Sequence, residues 1–406
     1  MLDIDSLRHL SMGALTGTRV LDLGLLVQGP QSAAALADLG ADVIKIELPG
    51  FGDQARWIPV TLTDPRPPFF LACNRGKRSV TIDLRTPEGK EVFLRLADEA
   101  DVIISNFKPG TLDEWGLSYE EMSARNPRLV YATGSVLGPN GPEAALEGAD
   151  LAGQAASGLV MTTGTTDGEP GPVGFTISDH VASLNMTIGI LTALLVRETS
   201  GRGQRVDVSL VGSQLWSQAS ELTAYFLTGE QAAPADRGHP YLPAIYGIFP
   251  TSDGWIACIG VPPAAKQGFC EALGSPELME HPAMQGFAMN AQEKREVFAL
   301  LNDIFITNTS QYWLQHLRAH GQRVAPVNDY AAVAADPHNT INGYLHDIEH
   351  PEYGPMKIVV TPIELSDTPL EPSATAPELG QDTELVLIEA GYDWAAIGAL
   401  RESGAI

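Results

Sequence analysis

Residues 18–50, "TRVLDLGLLVQGPQSAAALADLGADVIKIELPG", decide the fold class of this chain. A short apolar strand at Val20–Leu23 is followed by a turn, and Pro30 suits a first helical turn because its missing N–H would have no partner there. Gly40 ends that helix, and "DVIKIE" forms a second strand. A strand, a helix and a strand in this order predict a βαβ unit with a right-handed crossover, and therefore a parallel sheet.

The same alternation continues along the chain. Thr86 and Pro87 open a helix in "TPEGKEVFLRLADEA", and "DVIIS", "YEEMSARNP" and "RLVYATGS" predict a strand, a helix and a strand. A long helix beginning near Asp179 precedes a further strand, "RVDVSL". We therefore expect a doubly wound α/β fold.

The loops that follow four of these strands meet at one edge of the sheet, where open α/β folds bind ligands. They contain residues 26–28, 48–50, 106–108 and 135–138. Glu47 stands where a dinucleotide-binding fold has its ribose-binding acid, but "GLLVQGP" has its glycines at the wrong spacing for a pyrophosphate. The pattern therefore predicts a pocket at this edge and disfavours a nicotinamide dehydrogenase.

A second, smaller α+β domain is expected after the long helix. The segment "YGIFPTSDGWIACIG" places Asp253 and Gly254 between two alternating apolar segments, which predicts a β-hairpin. Helices follow up to about residue 330. The tail from "HPEYGPMKIVVTP" onward ends in a Pro-rich loop and a final pair of helices.

Length, charge and apolar content exclude several classes of protein. With 406 residues, two domains are expected, and a formal charge of −25 makes nucleic acid and anionic membranes poor partners. The apolar stretch 186–196 is shorter than a membrane span of about 20 residues, and "MLDIDSLRHLSMG" lacks the pattern of a secretory signal. We expect a cytoplasmic protein without a membrane partner, with three reduced cysteines.

A phosphate-bearing ligand needs local basic groups on so acidic a chain. The densest cluster is "NRGKRS", with Arg75, Lys77 and Arg78, whereas Lys45 and Lys108 stand alone. HExxH, CxxC, P-loop and GxSxG motifs are missing, so the sequence predicts no metal site, NTPase site or serine esterase site. A pair on one helical face, His316 and His320, is expected to be solvated.

One carboxylate stands ahead of the longest apolar run, in "GFTISDHVASLN", residues 174–185. Asp is a favoured N-cap residue and stabilises a helix start by about 1 kcal/mol. Local sequence therefore favours Asp179 as a helix cap. The neighbouring His180 cannot face it on a helix, because adjacent residues point in different directions.

The chain resembles the class III CoA-transferases, the family of formyl-CoA transferase, L-carnitine CoA-transferase and α-methylacyl-CoA racemase. The likeness is carried by ordered blocks over nearly all of the chain, among them "GPQSAAALADLGADVIKIELPGFGDQARW", "NRGKRSVTIDLRTPEGKEVFLRLADEADVIISNFKPGTLDEWGL", "GILTALLVRETSGRGQRVDVSL" and "APELGQDTELVLIEAGY". It implies a Rossmann-like large domain with a parallel sheet, made of residues 1–225 and 331–406, and a small domain of residues 226–330. It also implies an interlocked homodimer.

The resemblance assigns roles to individual residues. Asp179 matches the family's nucleophile, which accepts an acyl group as a mixed anhydride and then CoA as a thioester, and Asp150 matches a second active-site acid. At an ordinary pKa of about 3.9 the nucleophile would be ionised at neutral pH without a base. CoA would be a substrate rather than a tightly bound cofactor, with a small carboxylic acid as its partner. The positions that match the CoA site are Leu26, Val27, Gln28, Arg75, Lys77, Arg78, Asn106, Phe107 and Lys108.

The chain also departs from the family. Formyl-CoA transferase has basic residues where Leu48, Glu114 and Glu147 stand, so phosphate contacts must be rearranged or fewer. Ala149 replaces an aromatic residue or, in the racemase, a histidine. Two alternatives to CoA transfer remain: an isomerase or racemase that uses Asp179 as a base, and a non-catalytic CoA-binding subunit. For Asp150 the alternative to an active-site role is a helix cap.

Overall fold

A computed structural model gives the architecture of the chain and describes residues 13–165, 167–242, 244–286, 289–370 and 375–406. The segment tested for a secretory signal lies almost wholly outside these residues. The strands are β1 Arg19–Asp22, β2 Asp42–Glu47, β3 Arg78–Thr81, β4 Val102–Ser105, β5 Val130–Ser135, β6 Arg205–Ser209, β7 Tyr246–Pro250, β8 Trp255–Ile259, β9 Val324–Pro326, β10 Leu345–His350 and β11 Gly354–Val359. The helices are α1 Gln28–Asp38, α2 Pro68–Cys73, α3 Pro87–Ala97, α4 Thr111–Glu114, α5 Tyr119–Arg125, α6 Asp150–Ala156, α7 Ile177–Ser200, α8 Leu210–Ser217, α9 Ala219–Thr228, α10 Lys266–Ala272, α11 Pro282–Gln285, α12 Ala291–Phe305, α13 Ser310–Ala319, α14 Tyr330–Ala335, α15 Pro337–Ile341, α16 Thr383–Glu389 and α17 Trp394–Glu402.

Six strands form a parallel sheet in the order β3-β2-β1-β4-β5-β6. The predicted α/β fold with a parallel sheet is therefore confirmed. The chain order reverses between β1 and β4, which is the topological switch point where doubly wound sheets open a crevice for ligands. The candidate site lies at the edge of the sheet where this crevice opens.

Helices cover both faces of the sheet. On one face Ala33 and Leu36 of α1 pack with the buried strand residues, and on the other Val92 and Phe93 of α3 do the same. Thr86 caps α3 as expected, because its hydroxyl accepts the N–H of Gly89 at 3.0 Å. A sheet covered on both faces needs strands that are apolar along most of their length, which is why the strands are legible in the sequence.

Strand β3 is the one member of this sheet that the sequence did not predict. Its four residues, Arg78–Thr81, include three polar side chains and give no apolar run. The strand pairs with β2 through Ile44 opposite Arg78 and Glu47 opposite Thr81. Its pairing therefore comes from the tertiary structure rather than from a local pattern.

The chain folds into two compact units. The first contains the described residues up to Ser157, Gly174–Ser217 and Pro337–Ile406, and the second contains Gly158–Val173 and Gln218–Asp336. The second unit holds the antiparallel sheet β7-β8-β9, in which β7 and β8 form the predicted hairpin. The placement of the functional domain boundaries at residues 225 and 330 stays a prediction.

Helix α7 packs within the first unit against α1, α8, β5 and β6. Among the helices of the described ranges, it alone is long and apolar enough to cross a bilayer by length and composition. Core helices of soluble proteins also pass this test, but only a third of its most apolar window is buried within the chain. Its outward face carries the exposed side chains Leu184, Ile188 and Leu195.

Candidate active site

Asp179 lies at the ligand-binding edge of the sheet. It occupies the first turn of α7, and a crossover helix runs antiparallel to the strands that it joins, so its N-terminus lies at their carboxyl ends. The hydroxyl of Ser183 is 2.7 Å from the carbonyl oxygen of Gln28 and 2.8 Å from that of Asp179. One side chain therefore joins the Asp179 turn to the loop that follows β1.

The cap of α7 is Asp150 rather than Asp179. Thr176 holds the N-cap position without a side-chain hydrogen bond, and Asp179 is the third residue of the helix. Oδ1 of Asp150 accepts the backbone N–H of Ser178 at 2.7 Å and that of Asp179 at 3.3 Å. The prediction of Asp179 as a cap is therefore wrong, because the acceptor for the first-turn N–H groups comes from a residue distant in sequence.

Asp150 is fixed on both of its carboxylate oxygens. It is the first residue of α6 and does not cap its own helix, and it is only 8% exposed. Nε2 of Gln154 donates to Oδ2 at 2.6 Å, in addition to the two backbone donors on Oδ1. A carboxylate held in this way orients the turn that carries Asp179.

The pKa of Asp179 is raised from its ordinary value of 3.8 to about 7, first by burial and then by the charge of Asp150. Both effects disfavour the carboxylate. At neutral pH the protonated form of Asp179 is therefore more favoured than that of a free aspartate. The expectation of full ionisation at neutral pH rests on the pKa of a free aspartate, and the surroundings of Asp179 raise its pKa above that value.

The loop after β1 is held in an unusual conformation. Leu26 has φ 62°, in the left-handed region that costs a non-glycine residue about 1–2 kcal/mol. Its N–H donates to Oδ1 of Asp53 at 3.0 Å, while the Asn106 amide accepts the N–H of Leu25 at 2.7 Å and donates to its carbonyl at 2.9 Å. Such strain is typical of ligand-binding loops whose shape is imposed by their surroundings.

A buried set of four charges, Asp22, Lys45, Asp53 and Lys77, lies under this loop. Nζ of Lys45 is 2.9 Å from Oδ2 of Asp53 and 2.8 Å from the carbonyl of Gly24, and Nζ of Lys77 is 2.6 Å from Oδ2 of Asp22. Burial opposes the charge of Lys45, but the carboxylates of Asp22, Asp53 and Glu47 outweigh burial and raise the pKa of Lys45. Burial lowers the pKa of Lys77 to about 8. The four groups tie β1, β2 and the strained loop together.

A cavity of about 250 Å³ opens at the carboxyl ends of β1 to β4. Its walls are mostly apolar and include Phe107, whose ring meets that of Trp115 edge-on at 5.6 Å. The other lining residues are Leu23, Leu25, Ile46, Glu47, Leu48, Phe51, Gly52, Gln54, Ile82, Asp83, Leu84 and Arg85. The cavity lies at the edge that the strand order predicts, and its apolar walls suit a planar ring.

Comparison with known proteins decides the family. The sequence model of CoA-transferase family III matches residues 15–383. The chain belongs to this family. It is 33% identical over 406 residues to an acyl-CoA transferase of Fusarium pseudograminearum, covering 98% of this chain and 89% of that protein. It is 30% identical over 397 residues to the human succinyl-CoA:glutarate CoA-transferase, with 97% and 90% covered.

A solved structure of a CaiB/BaiF family protein from Brucella suis has the same fold. Its TM-score to this chain is 0.84 at 31% sequence identity, with 93% of this chain and all of that chain covered. The likeness therefore extends over both compact units. It places this CoA-transferase among proteins whose solved fold agrees with the six-stranded sheet described above.

The basic run of this CoA-transferase is engaged within the chain. Arg75 is buried, with Nη2 at 2.5 Å from Oδ2 of Asp38, and Lys77 donates to Asp22. Arg78, which is partly exposed, pairs with Asp42 and Glu389. The structure thus gives Arg75 and Lys77 internal partners, and a ligand phosphate could reach them only after rearrangement.

The remaining family positions divide into two groups. Val27 and Gln28 are buried at the start of α1, and Nε2 of Gln28 has no hydrogen-bond partner in the described part of the chain. Gly134 leaves room for this amide, since a Cβ there would lie 2.4 Å from its Oε1. Lys108 is half-exposed but pairs with Glu147 at 3.0 Å. The members of the predicted set that are not fully buried are Leu26, Arg78, Asn106, Phe107 and Lys108.

Sequence reasoning gave no role to several residues that build this site. Asp53, the acceptor for Leu26, lies in the block "GFGDQARW", and its spacing from the loop gives no hint of contact. Trp115 and Arg85 line the cavity from loops that follow β4 and β3. The sequence pattern gave no signal for Arg85, because the preceding strand β3 was not predicted.

Proposed function

We propose that this CoA-transferase, which moves CoA from an acyl-CoA to a carboxylic acid, carries both groups in turn on Asp179. The observation that supports the proposal most is the position of the Asp179 carboxylate. It is half-buried in the first turn of α7, with Asp150 beneath its backbone and the β1 loop joined to it through Ser183. A nucleophile fixed in this way gains reactivity from its positioning and from its desolvation.

The exchange takes four displacements. The Asp179 carboxylate attacks the thioester carbonyl, the C–S bond breaks, and CoA leaves as a thiolate from the resulting mixed anhydride. The thiolate attacks the Asp179 carbonyl carbon and releases the donor acid, which leaves an aspartyl-CoA thioester. The acceptor carboxylate displaces the thiolate to give a second anhydride, and the thiolate then attacks the acceptor carbonyl. Asp179 is regenerated, and a serine would stall this sequence as a stable ester.

We propose that the acids exchanged are short dicarboxylates and that CoA enters as a substrate. The name of the human relative contains two such acids, as succinyl-CoA and glutarate. A second carboxylate on the acid would need a polar partner besides Asp179. Lys108, half-exposed at the same edge of the sheet and paired with the exposed Glu147, is a cation suited to that task.

We expect the aspartyl-CoA thioester to be trapped on Asp179. Incubation with succinyl-CoA and hydroxylamine should convert the Asp179 side chain to a hydroxamate, because the amine attacks the acyl carbonyl and displaces the CoA thiolate. Peptide mass spectrometry locates the modified residue. Without succinyl-CoA, or with Asp179→Asn, the modification should disappear.

Two results would count against covalent transfer. One is an active enzyme whose Asp179 stays unmodified during turnover with hydroxylamine. The other is uptake of deuterium at the α-carbon of an acyl-CoA without passage of CoA to a labelled acid, which an isomerase would show. The exposed Asp303 on α12 serves as an internal control, since it should not react under any condition.

We also propose that the enzyme is a homodimer that covers the outward face of α7. This face carries Leu184, Ile188 and Leu195, of which Leu195 is 71% exposed. A membrane fits it less well, because α7 is packed on its other sides against α1, α8 and the sheet. A second copy would bury these apolar side chains, as expected for an exposed apolar patch.

Light scattering should give twice the chain mass of 43.3 kDa at micromolar concentration. Leu195→Glu should reduce the dimer population or the yield of folded protein, because a charge would enter the interface. Ile341→Glu is the matched control, since Ile341 is equally apolar and 82% exposed but lies on α15. A monomeric wild type would contradict the proposal.

We propose a cytoplasmic location on the basis of cysteine chemistry. Cys73, Cys258 and Cys270 are buried and unpaired by disulfides. Burial raises the pKa of all three thiols above the ordinary range, to about 11 for Cys73 and Cys270 and about 12 for Cys258. Inert, reduced thiols are typical of proteins that work in a reducing compartment.

A further inference from the structure

We propose that Asp53 is a positioning residue for CoA transfer, because it keeps Leu26 in the left-handed conformation and thereby places the β1 loop, residues 23–27, relative to the Asp179 turn. The β1 loop joins β1 to α1. The inference rests on the proposed function of Asp179. The Asp53 carboxylate is completely buried, and its Oδ1 accepts the N–H of Leu26 at 3.0 Å.

Side chains from outside the β1 loop bind its backbone at three successive residues. Oδ1 of Asp22 accepts the N–H of Gly24 at 2.8 Å, and the Asn106 amide binds both the N–H and the carbonyl of the next residue. Asp53 binds the third, Leu26, which alone among the three has a positive φ, 62°. The contact made by Asp53 is therefore the one that holds the strained residue.

The Asp53 carboxylate is itself held from the other side. Nζ of Lys45, which is also completely buried, lies 2.9 Å from its Oδ2 and donates to the carbonyl of Gly24 at 2.8 Å. Burial disfavours the charge of Asp53, but Lys45 and the N–H groups of Leu26 and Ala55 outweigh burial and keep the pKa of Asp53 below its ordinary value. Asp53 is therefore an ionised acceptor, which binds a backbone N–H more strongly than a neutral one.

A leucine at position 26 needs such an acceptor. For L-amino acids the left-handed conformation brings Cβ too close to the following carbonyl oxygen, whereas glycine has no Cβ and adopts both signs of φ about equally. Without the bond to Asp53, Leu26 would favour a negative φ. A change of sign at one residue redirects the chain that follows it, and the chain that follows Leu26 is the start of α1.

The start of α1 is joined to the Asp179 turn. The Ser183 hydroxyl lies 2.7 Å from the carbonyl oxygen of Gln28, the first residue of α1, and 2.8 Å from that of Asp179. A displacement of the β1 loop would therefore reach the nucleophile through Ser183. Misplacement of a reacting group by about 1 Å can lower the rate of an enzyme by about 10²-fold.

The test is a double-variant cycle of Asp53→Asn and Leu26→Gly, read as kcat for transfer from succinyl-CoA to labelled glutarate. An Asn side chain has only one acceptor oxygen, so it cannot serve Lys45 and Leu26 together as the carboxylate does. Asp53→Asn should lower kcat by about 10- to 100-fold in the wild-type background. In the Leu26→Gly background it should lower kcat by less than about threefold, because glycine keeps a positive φ without the acceptor.

The cycle separates positioning from general damage to the fold. Both variants that contain Asp53→Asn leave Lys45 with the same missing charge, so loss of stability alone would lower kcat by the same factor in both backgrounds. That result, or an unchanged kcat in Asp53→Asn, would overturn the proposal. Asp53→Glu keeps the charge opposite Lys45 but displaces the carboxylate, so it should show the same dependence on Leu26 and decides the question if Asp53→Asn does not fold.

Asp38→Asn is the matched control. Asp38 is also buried and ion-paired, with Arg75 at 2.5 Å, and it accepts the N–H and the hydroxyl of Thr361. Within the described part of the chain, none of its side-chain hydrogen bonds reaches the β1 loop. Leu26→Gly should therefore leave any loss caused by Asp38→Asn unchanged. A rescue of Asp38→Asn by Leu26→Gly would contradict the proposal.

Hydroxylamine trapping separates this inference from the proposed function. If the wild type transfers CoA with an unmodified Asp179 while the loss in Asp53→Asn still depends on Leu26, the role of Asp179 alone fails. If Asp179 is modified but the loss in Asp53→Asn is the same in both backgrounds, this inference alone fails.

Discussion

Asp179→Asn is expected to lower CoA transfer by on the order of 10⁴-fold or more, because an amide oxygen cannot replace the attacking carboxylate. The substitution keeps the size of the side chain and the backbone N–H that Asp150 accepts. Steady-state transfer from succinyl-CoA to labelled glutarate measures the loss. Binding of CoA should remain, since Asp179 does not line the cavity.

The same variant should melt at a higher temperature than the wild type at pH 8. The raised pKa of Asp179 means that the folded protein holds a proton there between about pH 4 and pH 7 which the unfolded chain has lost. Wild-type stability contributed by this group is therefore present below pH 4 and is lost as pH rises to 7. Asp179→Asn avoids that loss, so its advantage should be greatest above pH 7 and vanish near pH 4.

Asp303→Asn is the control for this stability effect, because Asp303 is exposed on α12. It should leave transfer unchanged and show little pH-dependent gain in melting temperature. Full activity of Asp179→Asn would refute the role of Asp179 as nucleophile. A gain in stability that persists at pH 4 would show that removal of the charge is not its cause.

Asp150→Ala is expected to lower transfer by about 10²-fold, because it releases the turn that holds Asp179. It leaves the N–H groups of Ser178 and Asp179 without their acceptor and should lower the free energy of unfolding by about 1–2 kcal/mol. We infer that Asp150 is a positioning residue, since both of its oxygens bind protein donors.

Asp150→Asn removes the negative charge of residue 150 but keeps a side-chain oxygen that can cap α7. Its amide oxygen can still accept the two backbone N–H groups, so it should retain more stability and more activity than Asp150→Ala.

Transfer by the wild type should rise with pH through about 7 and level off, as the Asp179 carboxylate forms. Both Asp150 variants should move this limb to lower pH, because the charge of Asp150 raises the pKa of Asp179.

The pH profile distinguishes this role from a purely structural one. Loss of stability alone would lower the plateau without moving the limb, and a general acid or base at position 150 would make Asp150→Asn as inactive as Asp150→Ala. Asp303→Asn should leave the limb in place. An unshifted limb in both Asp150 variants would show that Asp150 does not control the ionisation of Asp179.

Much of the large unit could be predicted because its signals are local. The βαβ pattern of residues 18–50 depends on apolar spacing and on Pro30 and Gly40, and each of these acts within a few residues. Thr86 caps α3 three residues before its partner, which is again a short-range effect. Strand β3 was missed since its polar side chains are accommodated by neighbours from other parts of the chain, such as Glu47 and Asp42.

The sequence by itself determined the parallel α/β fold, the edge at which its loops gather, and the presence of Asp179 at the start of a long helix. Only the tertiary structure decided that Asp150 caps this helix, that the pKa of Asp179 is about 7, and that "NRGKRS" is used internally while Arg85 lines the cavity. The physical reason is the separation along the sequence between the groups that interact. Strand and helix patterns arise between neighbours, whereas capping, burial and ion pairing depend on which distant groups folding brings within about 3 Å and out of water.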